Sequence, residues 1–548
     1  MTPSRLMVLG DTTLGSFVRE LQAQCRAASL PWTVEDGGFD SWERAVLGGQ
    51  ATSRQGAEAA FAFVLSPRLL EGFDQPDLPR RIQSVLEALE AQRPQRTVMF
   101  GNLFADPRGV LPLLRPQLQA RRARRVADLL DDFSARHAWF HLVDQSSLAL
   151  ALGVGALSEP RFEALGGLYF SPSGSRHLAA LWCRALAALT RPPAKVLALD
   201  LDNVLWGGIV GEDGPAGLAM GPSGAGWFYR RFQQALLELK RSGVLLAVCS
   251  KNNAAEALAV LREHEDCLLR PDDFAALEIG WDRKSLALQR IAQRLRLGLD
   301  SFVFVDDAAF EREEVRQALP EVRVLEFPPT PAGLLDMLTT CTAFDRLRVT
   351  DEDRTRSASY QAEARRDELR GKARKPEDFY RSLGLTARIQ VAGEDEFARA
   401  HQLIHKTNQF NLTSERLSAE QLRERLADPG YQVLTLRVAD RFGDSGLVGL
   451  AMLDRHAVHT WRVDNFLLSC RVIGRTVENA FVSWLAQRAR VAGVARLEVR
   501  FVANGRNEVA REFLERSGLR ASEDRTIWSL DVAAEQRLPE HYVKLSPA

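Results

Sequence analysis

A short, charge-free apolar run, Val196 to Leu199, ends in Asp200-Leu-Asp202, and this stretch restricts the possible folds of the chain more than any other. Such a run reads as a strand buried on both faces, which requires a parallel sheet covered by helices. Open α/β sheets bind and react at the carboxyl ends of their strands, and the run delivers Asp200 to that edge. Asp202, two residues on, lies on the same side of an extended chain. One carboxylate can then attack phosphorus and help hold a divalent cation, while the other protonates the leaving oxygen.

Three later segments supply the remaining parts of such a site, in order. The apolar run Val244 to Val248 reads as a second buried strand, followed by Cys249-Ser250-Lys251-Asn252-Asn253 as strand end and helix cap. A hydroxyl and free backbone N–H groups there form an anion cradle. Lys284, in Trp281-Asp-Arg-Lys284, opens an amphipathic stretch and can neutralise a phosphoryl group. Ser301-Phe-Val-Phe-Val-Asp306-Asp307 is a third apolar strand that ends in paired acids, the oxygen ligands that a hard Mg²⁺ ion prefers.

These segments resemble the haloacid dehalogenase superfamily and, within its subfamily IIIC, the FkbH-like family of polyketide-type biosynthesis. The resemblance is carried by the runs from Asp200 to Gly214, Cys249 to Asn253, Asp272 to Lys284 and Gly298 to Arg316. It implies a Rossmannoid central domain with Asp200 as nucleophile, Asp202 as general acid and base, and Ser250 and Lys284 on the phosphoryl oxygens. It further implies a Mg²⁺ site drawn from Asp200, Asp202, Asp306 and Asp307, with Asn203, Trp206, Lys251 and Asn252 lining the substrate. Two departures stand inside these runs. Val204 replaces the usual threonine, removing a hydroxyl near the phosphate, and Ala308-Ala309 replace the usual Asn-Pro, removing an amide near the metal.

Enzymes of this family draw a three-carbon unit from 1,3-bisphosphoglycerate, dephosphorylate it, and leave a glyceryl thioester on the phosphopantetheine arm of an acyl carrier protein. Acyl transfer to sulfur is thus a second chemistry to house. Cys249 stands beside Ser250, where a metal and Lys284 would favour thiolate over thiol, and a free cysteine with a pKa of about 8.5 is already a few per cent thiolate at pH 7. Its alternative is a small buried apolar side chain. Cys470 offers the same pair of readings, and His405 reads either as a base for the incoming thiol or as a structural histidine.

The flanking segments read as two further α/β units around the central one, residues 193–345. In residues 1–192 an apolar run, Leu6 to Gly10, precedes Asp11-Thr12-Thr13, and Ser171 to His177 lies near the end, similar to SGNH-type hydrolases. Thr12 stands where serine would be the nucleophile and Gly174 where an aspartate would orient the histidine, so a folded but non-catalytic domain is expected. Gln119 to Arg125 reads as a solvated helix face or a contact for an acidic carrier. A charged helical linker spans 346–377, a solvated connection, and a tail follows at 538–548. Residues 378–537 are similar to a GNAT-type α+β domain: a strand through Val463 to Leu468 runs into Arg471-Val-Ile-Gly474-Arg-Thr476, close to the R-x-x-G-x-[GA] loop that grips a pyrophosphate. His405 to Thr413, Phe442 to Gly446 and Leu468 to Arg475 also resemble FkbH-like signatures.

Charge and composition exclude other classes. The chain has 71 basic and 71 acidic residues, so nothing marks it for nucleic acid. No apolar run approaches the roughly 20 residues of a membrane span, and Cys25, Cys183, Cys249, Cys267, Cys341 and Cys470 form no C-x-x-C pair, so reduced thiols and a cytoplasmic location are expected. A stand-alone Mg²⁺-dependent phosphatase on a small phosphoester and a carrier-binding scaffold with a weakened site remain the alternatives to glyceryl loading.

Overall fold

A computed structural model of the chain describes residues 4–48, 59–71, 78–92, 97–108, 115–349, 351–393, 396–407, 409–469, 471–532 and 538–546. They fall into two units, Met1–Thr355 and Arg356–Ala548. The first unit holds two parallel sheets in succession. Strands β1 (Ser4–Leu9), β2 (Trp32–Asp36), β3 (Ala59–Phe63), β4 (Val98–Gly101) and β5 (Phe140–Val143) lie in the order β2-β1-β3-β4-β5. Both faces are apolar, as period-two alternation requires: Leu6 and Val8 of β1 join one core cluster, with Phe17 and Trp182, while Leu9 joins the other, with Phe63 and Phe100.

The second sheet positions the candidate site. Strands β6 (Val196–Leu199), β7 (Leu245–Ser250), β8 (Phe274–Ile279), β9 (Phe302–Val305) and β10 (Arg323–Val324) are ordered β10-β9-β6-β7-β8. Every neighbouring pair is parallel. From β6 the chain builds outward through β7 to β8, then returns to β9 on the other side. The strand order therefore reverses between β6 and β9, where the carboxyl ends open a crevice. The Asp200 N–H donates to the Val305 carbonyl at 3.0 Å, which carries the ladder to the tip of β6. Beyond β10 the chain returns to the first sheet: Arg184 forms a two-pronged ion pair with Asp345, and Leu347 packs on the first sheet's core.

The second unit is built on a mixed sheet. After β11 (Thr386–Val391), β12 (Tyr431–Asp440), β13 (Gly443–Asp454), β14 (Thr460–Leu468), β15 (Arg496–Arg500), β16 (Arg520–Ala521), β17 (Ile527–Asp531) and β18 (Lys544–Ser546), the order is β16-β17-β15-β14-β13-β12-β11-β18. Only the β14–β15 and β11–β18 pairs are parallel among the described residues. The β14–β15 register ends at Val463 and Val499, and the two strands part beyond it. Phe410 to Leu412 fills the gap. Leu412 N–H donates to Phe466 O at 3.1 Å, and Leu412 O accepts from Val502 N–H at 2.9 Å. The helix Asp351–Lys372, expected as a solvated connection, carries a buried Arg366 whose guanidinium grips Asp440 at 2.6 and 2.9 Å. Charge on that helix thus serves packing as well as solvation. No helix among the described residues is long and apolar enough to cross a membrane.

Candidate active site

Lys284 lies at the centre of the crevice, 2% exposed. Its Nζ donates to Asp200 Oδ1 at 2.7 Å and to the Cys249 carbonyl at 2.8 Å, and pairs with Asp306 Oδ2 at 2.9 Å. Burial works to lower the pKa of its ammonium, and the Asp200 and Asp306 charges more than offset this, so it stays cationic. One carboxylate oxygen from each of Asp200, Asp306 and Asp307 lies within 4.8 Å of the others. Three acids against one lysine leave an uncompensated negative charge, and an all-oxygen donor set suits a hard divalent cation. Burial pushes the Asp306 carboxyl up to about 6, against the pull of Lys284, and raises Asp307 as well, which marks the same want of positive charge.

Asp202 was expected among the metal ligands, and its side chain is turned elsewhere. Its Oδ1 accepts from Trp206 Nε1 at 2.8 Å and from Val210 N–H at 3.2 Å, and its Oδ2 accepts from Asn252 Nδ2 at 2.8 Å. Burial raises its pKa, which suits a group that must hold and release a proton. Trp206 and Asn252 therefore orient the second acid. Asn203 adopts a left-handed φ of 56°, which asparagine tolerates, and reaches both Asp307 (Nδ2 to Oδ2, 3.2 Å) and the Gly208 N–H (3.0 Å).

The Ser250 hydroxyl is buried at the tip of β7 and has no partner among the described residues. A buried donor without a partner costs about 1–3 kcal/mol, so its position here has to be held by the surrounding fold. Lys251 is turned away to Glu311 at 2.5 Å. The thiol of Cys249 is a correction to the expectation of a reactive thiolate. It is 0% exposed, sits 3.7 Å from the Lys284 carbonyl, and burial pushes its pKa up to about 12. It is out of reach of an acyl group and stays protonated. Val204 is likewise 0% exposed, inside the apolar cluster with Leu201 and Leu205, so the missing threonine hydroxyl is not missing from the crevice. Ala308 N–H donates to Asp306 Oδ1 at 2.9 Å and opens the helix Ala309–Ala318.

In the second unit the candidate residues are not gathered into a comparable centre. His405 Nε2–H donates to the Leu417 carbonyl at 3.0 Å, a structural tether. Cys470 lies outside the described residues. Gly474 has a φ of 73° and Thr476 one of 63°, so the small-residue position of the loop holds a left-handed backbone that threonine rarely adopts. The N-terminal turn of the next helix, Val477–Val491, already faces a buried carboxyl group, that of Glu478. Burial raises the pKa of Glu478 against the pull of the Glu478, Gly474 and Val477 N–H groups, which a phosphate at Arg471 and Gly474 would need.

In the N-terminal segment Thr12 Oγ1 donates to the Gly167 carbonyl at 2.5 Å and accepts from Tyr169 N–H at 3.1 Å, while His177 is exposed on the helix Pro172–Thr190. A Cβ on Gly174 would stand 1.8 Å from the Leu157 carbonyl oxygen, so the orienting aspartate is excluded by backbone. Of the basic run at 119–125, Gln119 is buried and accepts from Asp106 N–H at 2.9 Å.

The residues after the paired acids also hold the site, and their sequence run alone assigned them no role. Arg312 Nη1 donates to the carbonyls of Asp306 (2.8 Å) and Asp307 (2.7 Å), and Glu314 accepts from Ser285 Oγ (2.5 Å) and Ser285 N–H (3.2 Å). The signal was the i, i+3 spacing of Glu311 and Glu314 soon after the metal-type acids.

The chain is similar to a crystal structure of the N-terminal part of protein BF1531 from Bacteroides fragilis, described as containing a phosphatase domain complexed with Mg. The TM-score is 0.57 at 24% identity, over 63% of this chain and 94% of that one. The two share a fold. Weaker likenesses cover 27% of this chain: the ribosomal-protein-S18-alanine N-acetyltransferase of Escherichia coli (97% of that chain, 14% identity, TM-score 0.21) and the PaiA N-acetyltransferase of Thermoplasma acidophilum (99%, 11%, 0.22). No family model matches the chain, and no curated protein matches it.

Proposed function

We propose that the central domain is a Mg²⁺-dependent phosphatase of the haloacid dehalogenase type, and that it removes phosphate from an acyl group bound for a carrier thiol. The observation that carries this reading is Lys284 Nζ bridging Asp200 and Asp306, beside a Ser250 hydroxyl with no partner among the described residues. Asp200, Asp306 and Asp307 would hold the ion, which offsets the repulsion between a carboxylate nucleophile and a phosphate. Asp200 keeps Oδ1 on Lys284 and attacks phosphorus through Oδ2, forming an aspartyl phosphate as the bond to the leaving oxygen breaks. Asp202 protonates that oxygen, then takes a proton from the water that hydrolyses the aspartyl phosphate. Ser250 and Lys284 hold the phosphoryl oxygens throughout.

The resemblance of the four sequence runs to FkbH-like enzymes supports 1,3-bisphosphoglycerate as the phosphate source and the phosphopantetheine thiol of an acyl carrier protein as the acceptor. With Cys249 buried, the carrier thiol or Cys470 attacks the acyl carbon and displaces its phosphate, and the remaining phosphate ester is hydrolysed at Asp200. Incubation with 1,3-bisphosphoglycerate, Mg²⁺ and holo carrier protein, followed by intact mass, tests this: a glyceryl adduct with phosphate release is expected. The buried Cys249 and the filled helix N-terminus at Glu478 favour a second reading, hydrolysis of a small phosphoester without acyl transfer. Phosphate release with no adduct on any carrier would support that reading instead.

A further inference from the structure

We infer that the first turns of the helix Ala309–Ala318 form a clamp in which Arg312, flanked by Glu311 and Glu314, positions the metal-binding acids and ties them to the phosphate-binding residues. The inference rests on the metal-dependent reading above and assigns a role to residues that reading leaves unused.

Each of the three side chains reaches a different station of the site. A single guanidinium nitrogen of Arg312 donates to the main-chain carbonyls of both Asp306 and Asp307, at 2.8 and 2.7 Å. These carbonyls belong to the two acids that follow β9, where regular strand pairing has ended and nothing else of the ladder fixes their direction. Arg312 is 9% exposed, so both bonds are made out of water, where charge-assisted donors are strongest. Glu311 pairs with Lys251 at 2.5 Å, the residue after Ser250. Glu314 accepts from both the hydroxyl and the N–H of Ser285, the residue after Lys284.

One helical turn therefore touches the backbone or side chain next to three separate stations. A divalent cation demands its ligands within about 0.5 Å of a set geometry, and a strand tip alone does not supply that. Groups that hold ligands without touching the metal change metal affinity by about 10–100-fold when removed. Arg312 acts through the acids and is a positioning residue, as are Glu311 and Glu314. The same turn explains why the glutamates stand at 311 and 314: three residues apart they share one helix face, while Arg312 turns to the strand tip.

The test is Mg²⁺ affinity of the full chain by titration calorimetry, with circular dichroism to establish that each variant is folded. Arg312→Met is expected to weaken Mg²⁺ binding about 10–100-fold. At saturating Mg²⁺ its KM for a phosphorylated substrate stays unchanged, because Ser250 and Lys284 are intact, while kcat falls. Equal Mg²⁺ affinity in Arg312→Met and the unsubstituted chain overturns the inference and leaves the phosphatase reading standing. If Arg312→Met does not fold, Arg312→Lys keeps the charge on a shorter stem that cannot reach both carbonyls. It is then expected to bind Mg²⁺ more weakly than the unsubstituted chain, and equal affinity overturns the inference. An unsubstituted chain that binds no Mg²⁺ overturns the metal-dependent reading and the clamp with it.

Discussion

Lys284 and Ser250 make opposite demands on the fold although the proposed function gives them one ligand. The lysine is buried between two carboxylates, so Lys284→Met leaves Asp200 and Asp306 without their counter-charge. Breaking a buried pair from one side costs about 3–5 kcal/mol, and urea denaturation of the metal-free variant should show a loss of that order. Ser250 gives the fold no hydrogen bond from its hydroxyl, because its Oγ is buried without a partner among the described residues. Ser250→Ala removes that unmet donor, so stability is expected to hold or rise by up to about 1 kcal/mol while phosphate release falls at least tenfold. A stability loss comparable to that of Lys284→Met would count against the hydroxyl as a ligand group. At this scale much was legible: Asp200, Ser250, Asp306 and Asp307 follow from apolar runs that end in polar residues, and Lys284 from the opening of an amphipathic stretch. Of the two readings of Cys249 the buried apolar side chain holds, because neighbours on a strand point to opposite faces, so a site that receives Ser250 cannot also receive the thiol beside it. Nor could the sequence tell that Val204 turns inward, since a turn after a strand has no fixed period.

Helix Pro172–Thr190 shows the same contrast for a whole element. It begins at a serine cap, with Ser171 Oγ accepting from Gly174 N–H at 3.0 Å, and packs its third residue flat against the backbone at Leu157. Sequence reasoning marked Gly174 as a missing catalytic aspartate. The close approach explains the glycine instead, because even a Cβ collides with a carbonyl that cannot swing aside. Gly174→Asp is therefore expected to create no esterase activity and to destabilise the chain by about 3 kcal/mol or more, read as an early thermal transition. Esterase activity in a stably folded Gly174→Asp chain would contradict this. Three of the five strands of the central sheet, β6, β7 and β9, were legible for the reason Asp200 was. Beyond Val463 the filling of the β14–β15 gap was not, since Phe410-Asn-Leu412 carries no local signature of a segment that pairs with residues both 54 and 90 positions later: Leu412 meets Phe466 and Val502.

For the molecule as a whole, the mixed α/β architecture is what the alternation of apolar runs and amphipathic stretches required, and the pH response of its stability follows from acids that the sheets bury. Asp11 is held by Ser66, whose N–H and hydroxyl donate to it at 2.8 and 2.6 Å, yet burial dominates and lifts its carboxyl from 3.8 to about 6. Asp306, in the other sheet of the same unit, is lifted to about 6 by the same cause. In both cases the folded state holds its proton more tightly than the unfolded chain. The contribution to stability is thus complete below about pH 4 and is lost as pH rises through about 6. A shift of this size corresponds to on the order of 3 kcal/mol for each acid. Asp144 shifts the other way, to about 2, and its contribution disappears only below that window. Urea denaturation of the metal-free chain should therefore show stability falling between pH 4 and pH 7. Saturating Mg²⁺ should remove the Asp306 part, because a bound cation favours the ionised acid, and raise the melting temperature at pH 7. Asp11→Asn should flatten the remainder and leave the Mg²⁺ response intact, whereas Asp306→Asn should abolish the Mg²⁺ response and leave the Asp11 part. A pH profile that both substitutions leave unchanged would mean that neither buried acid governs it.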